Sequence, residues 1–564
     1  MMRRIVDRRA FLALLGAGTA TGLLAACGGQ APAPKPEAKA PAPTAAPAVA
    51  PTAAAAPPAA QPTTAPAAAA PTVAPAVKVA VAPAGKKDLV VAQGADITTL
   101  DPHLSTFGND LNATYAIFDL LTFRDASNSL SPQLATEWKA TSDTQWTFKL
   151  RPNVKFHNAD PFTSADVKFS IERTYDPDTK STVAPNFGTV ATIDAPDELT
   201  VVFNTKQSDP LLPARLAAYG GQMMPRKYYE QVGKEGFAAK PVGCGPYKYV
   251  EWVKDDRLVL EANKEYWGGA PAAERLTFKP LPEPATRIAS LLAGESDIAL
   301  NIPPDQIDQV NRSGKAHVEP ALFAGLHALL ANSKVPPMTN KLVKQALSLA
   351  IDRDAIIKSI ARGQGKVPNG MIPEGDFAYD PSLAPLQYDP DKAKALLAEA
   401  GYNGEEIILE STQGYLLNDR QMSEVIDQMW KKVGINSRME VIEISVRAQK
   451  TREKSFKGLY WTDPASTVGD PDGMAWRLIG PGGSQDYWRD PEWDRLGEEA
   501  RFSLDQELRK RNYTRMNEIF REHLPWIPIL QPSLQYGVQN YVQFTPYPSG
   551  SMNFRRENLK LMTG

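Results

Sequence analysis

The chain has 564 residues, 43% of them hydrophobic and 22% charged, which is enough for a sizeable core and too polar for a membrane bundle. Its 62 basic and 64 acidic residues nearly cancel, so no surplus of positive charge is available for a phosphate backbone, which argues against nucleic acid as a partner. There are two cysteines, Cys27 and Cys244, and if processing consumes the first, no intrachain disulfide can form.

Reading along the chain, residues 1–26 have the form of an export signal. Arg3, Arg4, Arg8 and Arg9 precede an apolar run from Phe11 to Ala26, shorter than the ~20 residues needed to cross a bilayer core. "DRRAFLALLG" resembles a twin-arginine signal and "LLAAC" resembles a lipobox, which would make Cys27 the lipidated first residue of the mature chain and give it a lipid anchor. The competing reading is an N-terminal helix with a chance cysteine. The tract that follows, through residue 87, is mostly alanine and proline, which removes amide donors and blocks helix. In an extended polyproline-like form at ~3.1 Å per residue it would act as a leash reaching on the order of 190 Å.

The folded body is expected to begin at Asp88. "DLVVAQG" reads as a strand, and "TQWTFKLRPNVKF" and "DELTVVFNT" alternate as strands do. "TNKLVKQALSLAIDRDAIIKSIARG" places Leu342, Ala346, Leu349, Ala350, Ile356, Ile357 and Ile360 mainly on one side, from a Thr/Asn cap to a closing glycine, and reads as one helix. "DPDKAKALLAEAGY" reads as a short helix, with Asp389 ahead of a proline at its start and Gly401 at its end. Strands and helices mixed throughout predict an α/β body of several lobes.

Catalytic signatures are scarce. The histidines, His103, His157, His317, His327 and His523, show no HExxH spacing, and there is no GxSxG, GxxxxGK[ST] or CxxC pattern. This disfavours a hydrolase or kinase built on familiar parts, and the expectation is a protein that is not an enzyme and carries neither cofactor nor metal.

A series of longer blocks carries a more specific signal. "LATEWKATSDTQWTFKLRPNVKFHNADPFTSADVKFSIER" (Leu134 to Arg173), "VGCGPYKYVEWVKDDRLVLEANKEYWGGAP", "LLAGESDIA", "VKQALSLAIDRDAII" and "YDPDKAKALLAEAGY" occur in that order. Together they resemble the family-5 extracellular solute-binding proteins of ABC importers, the oligopeptide-, dipeptide- and nickel-binding group. Cys244 stands where that family usually has threonine, a small packed side chain in either case.

The resemblance implies an α/β, two-lobed periplasmic-binding-protein fold of type II, cluster C-like, with an extra subdomain in lobe one. Lobe one would comprise residues 88–320 and 533–564, its subdomain about 131–227, and lobe two 321–532. It further implies ligand contacts at Thr106, Phe107 and Gly108 in the loop after "TLDPH", at His327, and within "LYWTDPASTVGDPDG". In peptide-binding members an aspartate three residues after an aromatic pairs with the peptide amine, and Tyr460 and Asp463 have that spacing. If Trp461 is in register instead, Pro464 takes the aspartate position, and Asp470 or Asp472 could supply the charge. Asp463 and Asp470 each precede a proline and could equally form surface Asx turns, and Trp461 and Phe107 could equally be core.

The function implied is that of an extracytoplasmic, lipid-anchored, monomeric receptor. It would capture a peptide or similar small solute between its lobes and hand it to a membrane permease without chemical change. An extracytoplasmic hydrolase, and a ligand-independent chaperone or adhesin, are the alternatives.

Overall fold

The strand Asp88–Gln93 lies inside a seven-stranded sheet. In the computed structural model, which describes residues 86–562, that sheet runs Ala316–Leu322, Ser533–Gln539, Ile298–Ala299, Asp88–Gln93, Arg275–Pro280, Arg257–Ala262, Tyr247–Val253. Asp88–Gln93 is parallel to both of its neighbours, while the Arg275–Pro280, Arg257–Ala262 and Tyr247–Val253 strands are antiparallel to one another. Its apolar residues, among them Leu89, Val91, Leu276, Phe278 and Val538, pack under Ala113, Ala116 and Ile117 of the helix Gly108–Ile117 to form the core of lobe one. The signal segment, Cys27 and the Ala/Pro tract to residue 85 lie outside the described residues.

A five-stranded sheet, ordered Ser437–Val441, Ile407–Ser411, Leu459–Thr462, His327–Ala331, Trp526–Leu530, forms lobe two. Every residue of Leu459–Thr462 and Trp526–Leu530 is buried, as expected for strands covered on both faces. Trp430, Trp461, Trp493 and Trp526 are among the largest fully buried side chains, and the Trp476 and Trp493 rings stack at 5.3 Å with Trp488 edge-on to Trp493 at 5.6 Å. The tryptophans of this lobe are therefore core.

The chain leaves the seven-stranded sheet after Leu322 and enters the five-stranded one at His327; it returns between Leu530 and Ser533. Two short connections of this kind allow rigid halves to rotate relative to each other. A four-stranded antiparallel sheet, ordered Ala135–Ser142, Gln145–Leu150, Thr200–Thr205, Val190–Asp197, packs the helix Ser164–Tyr175 on one face around Phe148, Val167, Ile171 and Phe203. That helix begins with a reciprocal capping box between Thr163 and Asp166. Cys244 is buried in the same core.

One element departs from the sequence expectation. The apolar stripe read as a single helix is two helices, Lys341–Leu349 and Arg353–Ser359. Asp352 accepts from the Ala355 amide and so caps a second helix, while Arg353, turned inward, donates Nε to the Pro528 carbonyl and Nη1 to that of Ser348. The stripe is continuous because both helices pack on one core, not because they share an axis.

Candidate functional site

The connections between lobes also form the floor of a cavity. Ser466 donates its amide to the Ala324 carbonyl at 2.8 Å, Leu326 to that of Pro464 at 2.9 Å, and Ala324 to that of Pro548 at 2.9 Å. These bonds hold the loop after Leu459–Thr462 and the C-terminal segment against the first connection. Above them is a cavity of about 200 Å³, lined from lobe one by Thr106, Tyr115, Phe123 and Tyr547, from the connection by Phe323, and from lobe two by Ser466. Phe123 and Tyr547 lie 5.8 Å apart between ring centres, an aromatic wall of the kind that holds apolar groups, while hydroxyls supply orientation.

A second, more polar cavity of about 440 Å³ adjoins it and shares Thr106, Tyr219 and Thr467. Lobe-one Arg215 and lobe-two Asp472, Arg477 and Arg501 line it. Nearby, Arg124 of lobe one reaches across to donate Nη2 to the Val468 carbonyl and Nη1 to the Asn128 carbonyl at 2.6 Å. Asn128 donates Nδ2 to Asp376 Oδ1 and to the Gly375 carbonyl, both at 3.1 Å. Asp376 is buried, and burial pushes its carboxyl up to about 7 against the opposing charge of Arg124. In this conformation the lobes are thus joined by hydrogen bonds to charged groups.

The residues singled out from sequence fall in different surroundings. Thr106 and Gly108 line the first cavity; Phe107 between them is 68% exposed and sits at the start of the helix Gly108–Ile117. His327 opens its strand half-buried, its Nδ1 without a partner, and burial pushes its pKa down to about 4, opposed by the charge of Asp419. Tyr460 is buried and stacks on Phe456 with ring centres 3.4 Å apart. Trp461 is buried, donates Nε1 to Ser423 Oγ at 2.7 Å and accepts at its carbonyl from Arg447 at 3.1 Å. Asp463 is exposed just past the strand and accepts from the Tyr415 hydroxyl, on whose ring the Arg447 guanidinium lies 3.4 Å from the centre. Asp470 is turned inward: Oδ2 accepts from Arg509 at 2.8 Å and Oδ1 from the Asp472 amide at 3.0 Å, closing an Asx turn.

Sequence reasoning missed Tyr115, Phe123, Phe323 and Tyr547. They come from four separated stretches, and no spacing pattern links residues that only the assembled lobes bring together.

Residues 129–486, more than half of the chain, match the family model described as bacterial extracellular solute-binding proteins, family 5 Middle. The chain belongs to this family. Among relatives of this family-5 protein, the di/tripeptide-binding protein 1 of Pseudomonas aeruginosa is 28% identical over 84% of this chain and 95% of its own length. The glutathione-binding protein of Pectobacterium atrosepticum is 31% identical over 68% of this chain and 76% of its own. Among solved structures, HbpA2 from Haemophilus parasuis superimposes with a TM-score of 0.77 at 27% identity, covering 84% of this chain and 99% of its own. A periplasmic murein tripeptide binding protein in its unliganded open form gives 0.74 at 22% identity over 85% and 98%, which bears on the fold. Family-5 proteins work outside the cytoplasm, and among the described residues no helix is long and apolar enough to cross a membrane.

Proposed function

We propose that this family-5 protein is the lipid-anchored receptor of an ABC importer, holding a peptide or similar small solute between its lobes and presenting the closed form to a membrane permease. The observation that carries the reading is the cavity walled by both sheets' lobes and floored by the segments that connect them. A ligand touching both walls stabilises one relative orientation of the lobes, and a permease that recognises that orientation responds to the ligand without touching it. No bond need be made or broken, so the protein is read as a monomeric binding protein and not an enzyme. Names of relatives that bind di- and tripeptides and glutathione favour peptides as the solute class.

In this reading Thr106 and Gly108 contact the solute directly. Phe107, His327 and Asp463 stand at the rim, where Asp463 is free to take a peptide amine in exchange for the Tyr415 hydroxyl. Tyr460, Trp461 and Asp470 set the shape of the lobe-two wall from behind. Cys27 carries the lipid, and the Ala/Pro leash raises the receptor's concentration near its permease.

The test is calorimetric titration of the purified protein with di- and tripeptides, alongside thermal unfolding. Binding should raise stability by RT ln(1 + [L]/Kd), with the peptide recovered intact. Asp463→Ala should weaken binding by about 2 kcal/mol, the scale for losing one partner of a charged hydrogen bond. Steady consumption of peptide would favour a hydrolase, and prevention of a partner's aggregation without any small ligand would favour a chaperone. Loss of metabolic fatty-acid labelling in Cys27→Ala checks the anchor.

A further inference from the structure

The two faces of the seven-stranded sheet carry separate cores. Val91 and Ile298 pack with the helix Gly108–Ile117, while Ala92 and Ala299, the next residue of each strand, pack with Val310 of the helix Ile307–Arg312. Successive strand residues point to opposite faces, so the two helices lie on opposite sides of the sheet. The first cavity is on the side of Gly108–Ile117, whose Leu111 and Tyr115 line it. A third cavity, of about 650 Å³, is on the other side. Asp305, Asp308 and Asn311 line it from lobe one, and Lys358, Arg362 and Gln364 from lobe two.

The connections between lobes run between these two cavities. Phe323, in the first connection, lines the first cavity. Gln364 accepts at Oε1 from Gln535 Nε2 at 3.2 Å, and Lys366 exchanges backbone hydrogen bonds with Gln531 at 2.9 Å, which fixes the lobe-two wall of the third cavity against the second connection. A rotation about the connections that widens one cavity therefore narrows the other.

Charge is divided across the third cavity by lobe. Lobe one supplies the two aspartates and lobe two supplies Lys358 and Arg362, all four exposed. Asp308 bonds Arg312 within its own helix at 2.8 Å. Asp305, Lys358 and Arg362 have no opposite charge within 4.0 Å among the described residues. On the side of the first cavity, by contrast, the lobes already touch, through Arg124 and the Val468 carbonyl. Unmatched opposite charges thus face each other across the gap that shrinks when the first cavity opens.

We propose that Asp305 and Asp308, with Lys358 and Arg362, form a charge clamp on the reverse side of the hinge, which closes as the first cavity opens and so favours the unliganded form. This rests on the reading of the protein as a two-lobed receptor and adds to it a determinant of affinity that never meets the solute. Stabilising the open form lowers the fraction of molecules competent to close on ligand, and apparent affinity falls by the same factor. Attraction between exposed charges reaches about 10 Å at 0.1 M salt and about 3 Å at 1 M, so the clamp is salt-sensitive.

The experiment compares the full-length protein with three variants: Lys358→Gln/Arg362→Gln, Asp305→Asn/Asp308→Asn, and all four substitutions together. Each is measured by small-angle X-ray scattering without ligand and by titration with Leu-Phe, at about 50 mM and about 1 M NaCl. The altered side chains are exposed, so the variants should fold. At low salt either pair of substitutions should give a smaller radius of gyration than the parent and bind Leu-Phe about two- to tenfold more tightly, the range for two exposed ion pairs. The fourfold variant should do no more than either pair, because one pair already abolishes the attraction. At high salt all should converge on the parent. An unchanged radius at low salt overturns the clamp and leaves peptide capture standing. A larger radius, or effects of the two pairs that simply add in the fourfold variant, overturns it as well. A smaller, salt-dependent radius with no binding of Leu-Phe to any form supports the clamp and counts against peptide capture.

Discussion

Arg173 donates to both oxygens of Asp101 inside lobe one, Nη1 to Oδ1 at 2.9 Å and Nη2 to Oδ2 at 2.5 Å, with both side chains buried. The same Nη1 is 3.0 Å from His103 Nδ1, and His103 Nε2 is 3.2 Å from the Gln222 carbonyl. Nε2 must therefore carry the proton and Nδ1 accept from Arg173, which fixes a neutral imidazole; burial pushes its pKa down to about 4. This cluster ties the helix Ser164–Tyr175 of the subdomain to the loop that goes on to Thr106 and the first cavity. Asp101→Asn leaves Arg173 charged and unmatched in a dry site, and removing one partner of such a pair costs about 3–5 kcal/mol. Urea unfolding should show a loss of that size, and a loss under 1 kcal/mol would mean that water reaches the pair.

Gly469 has φ of +63°, and a Cβ added there would run into the Arg124 guanidinium, the group that crosses to the Val468 carbonyl. Gly469→Ala meets two costs, a left-handed backbone that non-glycine residues avoid and displacement of a cross-lobe contact. Because the second cost falls only on the arrangement in which Arg124 reaches Val468, the variant should fold, bind ligand about tenfold more weakly and scatter X-rays as a more open particle when unliganded. An unchanged radius of gyration together with unchanged affinity would remove Arg124 from any role in closure.

Strands such as Gln145–Leu150 and Thr200–Thr205 were legible because one face of each is buried and the alternation shows in the residues themselves. The break at Asp352 was not, since a residue that can cap a helix reads equally well as one of its surface positions. The aromatic pair Tyr460–Trp461 illustrates a deeper limit. In a strand covered on both faces neighbouring side chains are both buried, so a run that could line a cleft is the same run that fills a core. The site itself is hard to read for another reason. Phe123 meets Tyr547 only because the C-terminal strands Ser533–Gln539 and Val542–Phe544 return to lobe one, and no local pattern encodes that return.

Asp376 predicts a pH dependence whose sign is opposite to that of the buried histidines. It is 7% exposed, and its carboxyl is pushed up to about 7 by burial first and then by the charge of Asp470. A carboxyl whose folded pKa lies above its unfolded value adds stability at pH 4 and below, where the folded state is protonated and the unfolded state has only begun to ionise, and loses it as pH rises from there through 7. His103, with a folded pKa of about 4, does the reverse and costs stability as pH falls below 6.5. The two effects overlap in the unaltered protein, so the difference from Asp376→Asn isolates one of them. That variant should match the parent near pH 4 and exceed it by about 2–4 kcal/mol at pH 8, measured by denaturant unfolding across the range. A difference independent of pH would show that Asp376 does not titrate between these limits.

Trp461 separates wall-building from ligand contact. Its ring is buried in the lobe-two core and its Nε1 donates to Ser423 Oγ, which in turn donates to the Asp419 carbonyl at 2.8 Å and lies 2.8 Å from Ser411 Oγ. Ser423 therefore keeps partners when the indole is lost, and the main cost of Trp461→Ala is the cavity, about 3–5 kcal/mol. Trp461→Phe retains most of the packing, giving up one hydrogen bond and part of a ring, and should cost about 1–2 kcal/mol. If the side chain only shapes the wall, Trp461→Phe should bind peptide within about threefold of the parent despite its lower stability, because the loop Ala465–Thr467 that lines the first cavity is held by its own bonds to the connecting segment. Affinity falling by tenfold or more at unchanged stability would instead place the indole against the ligand, in an arrangement of the lobes different from this one.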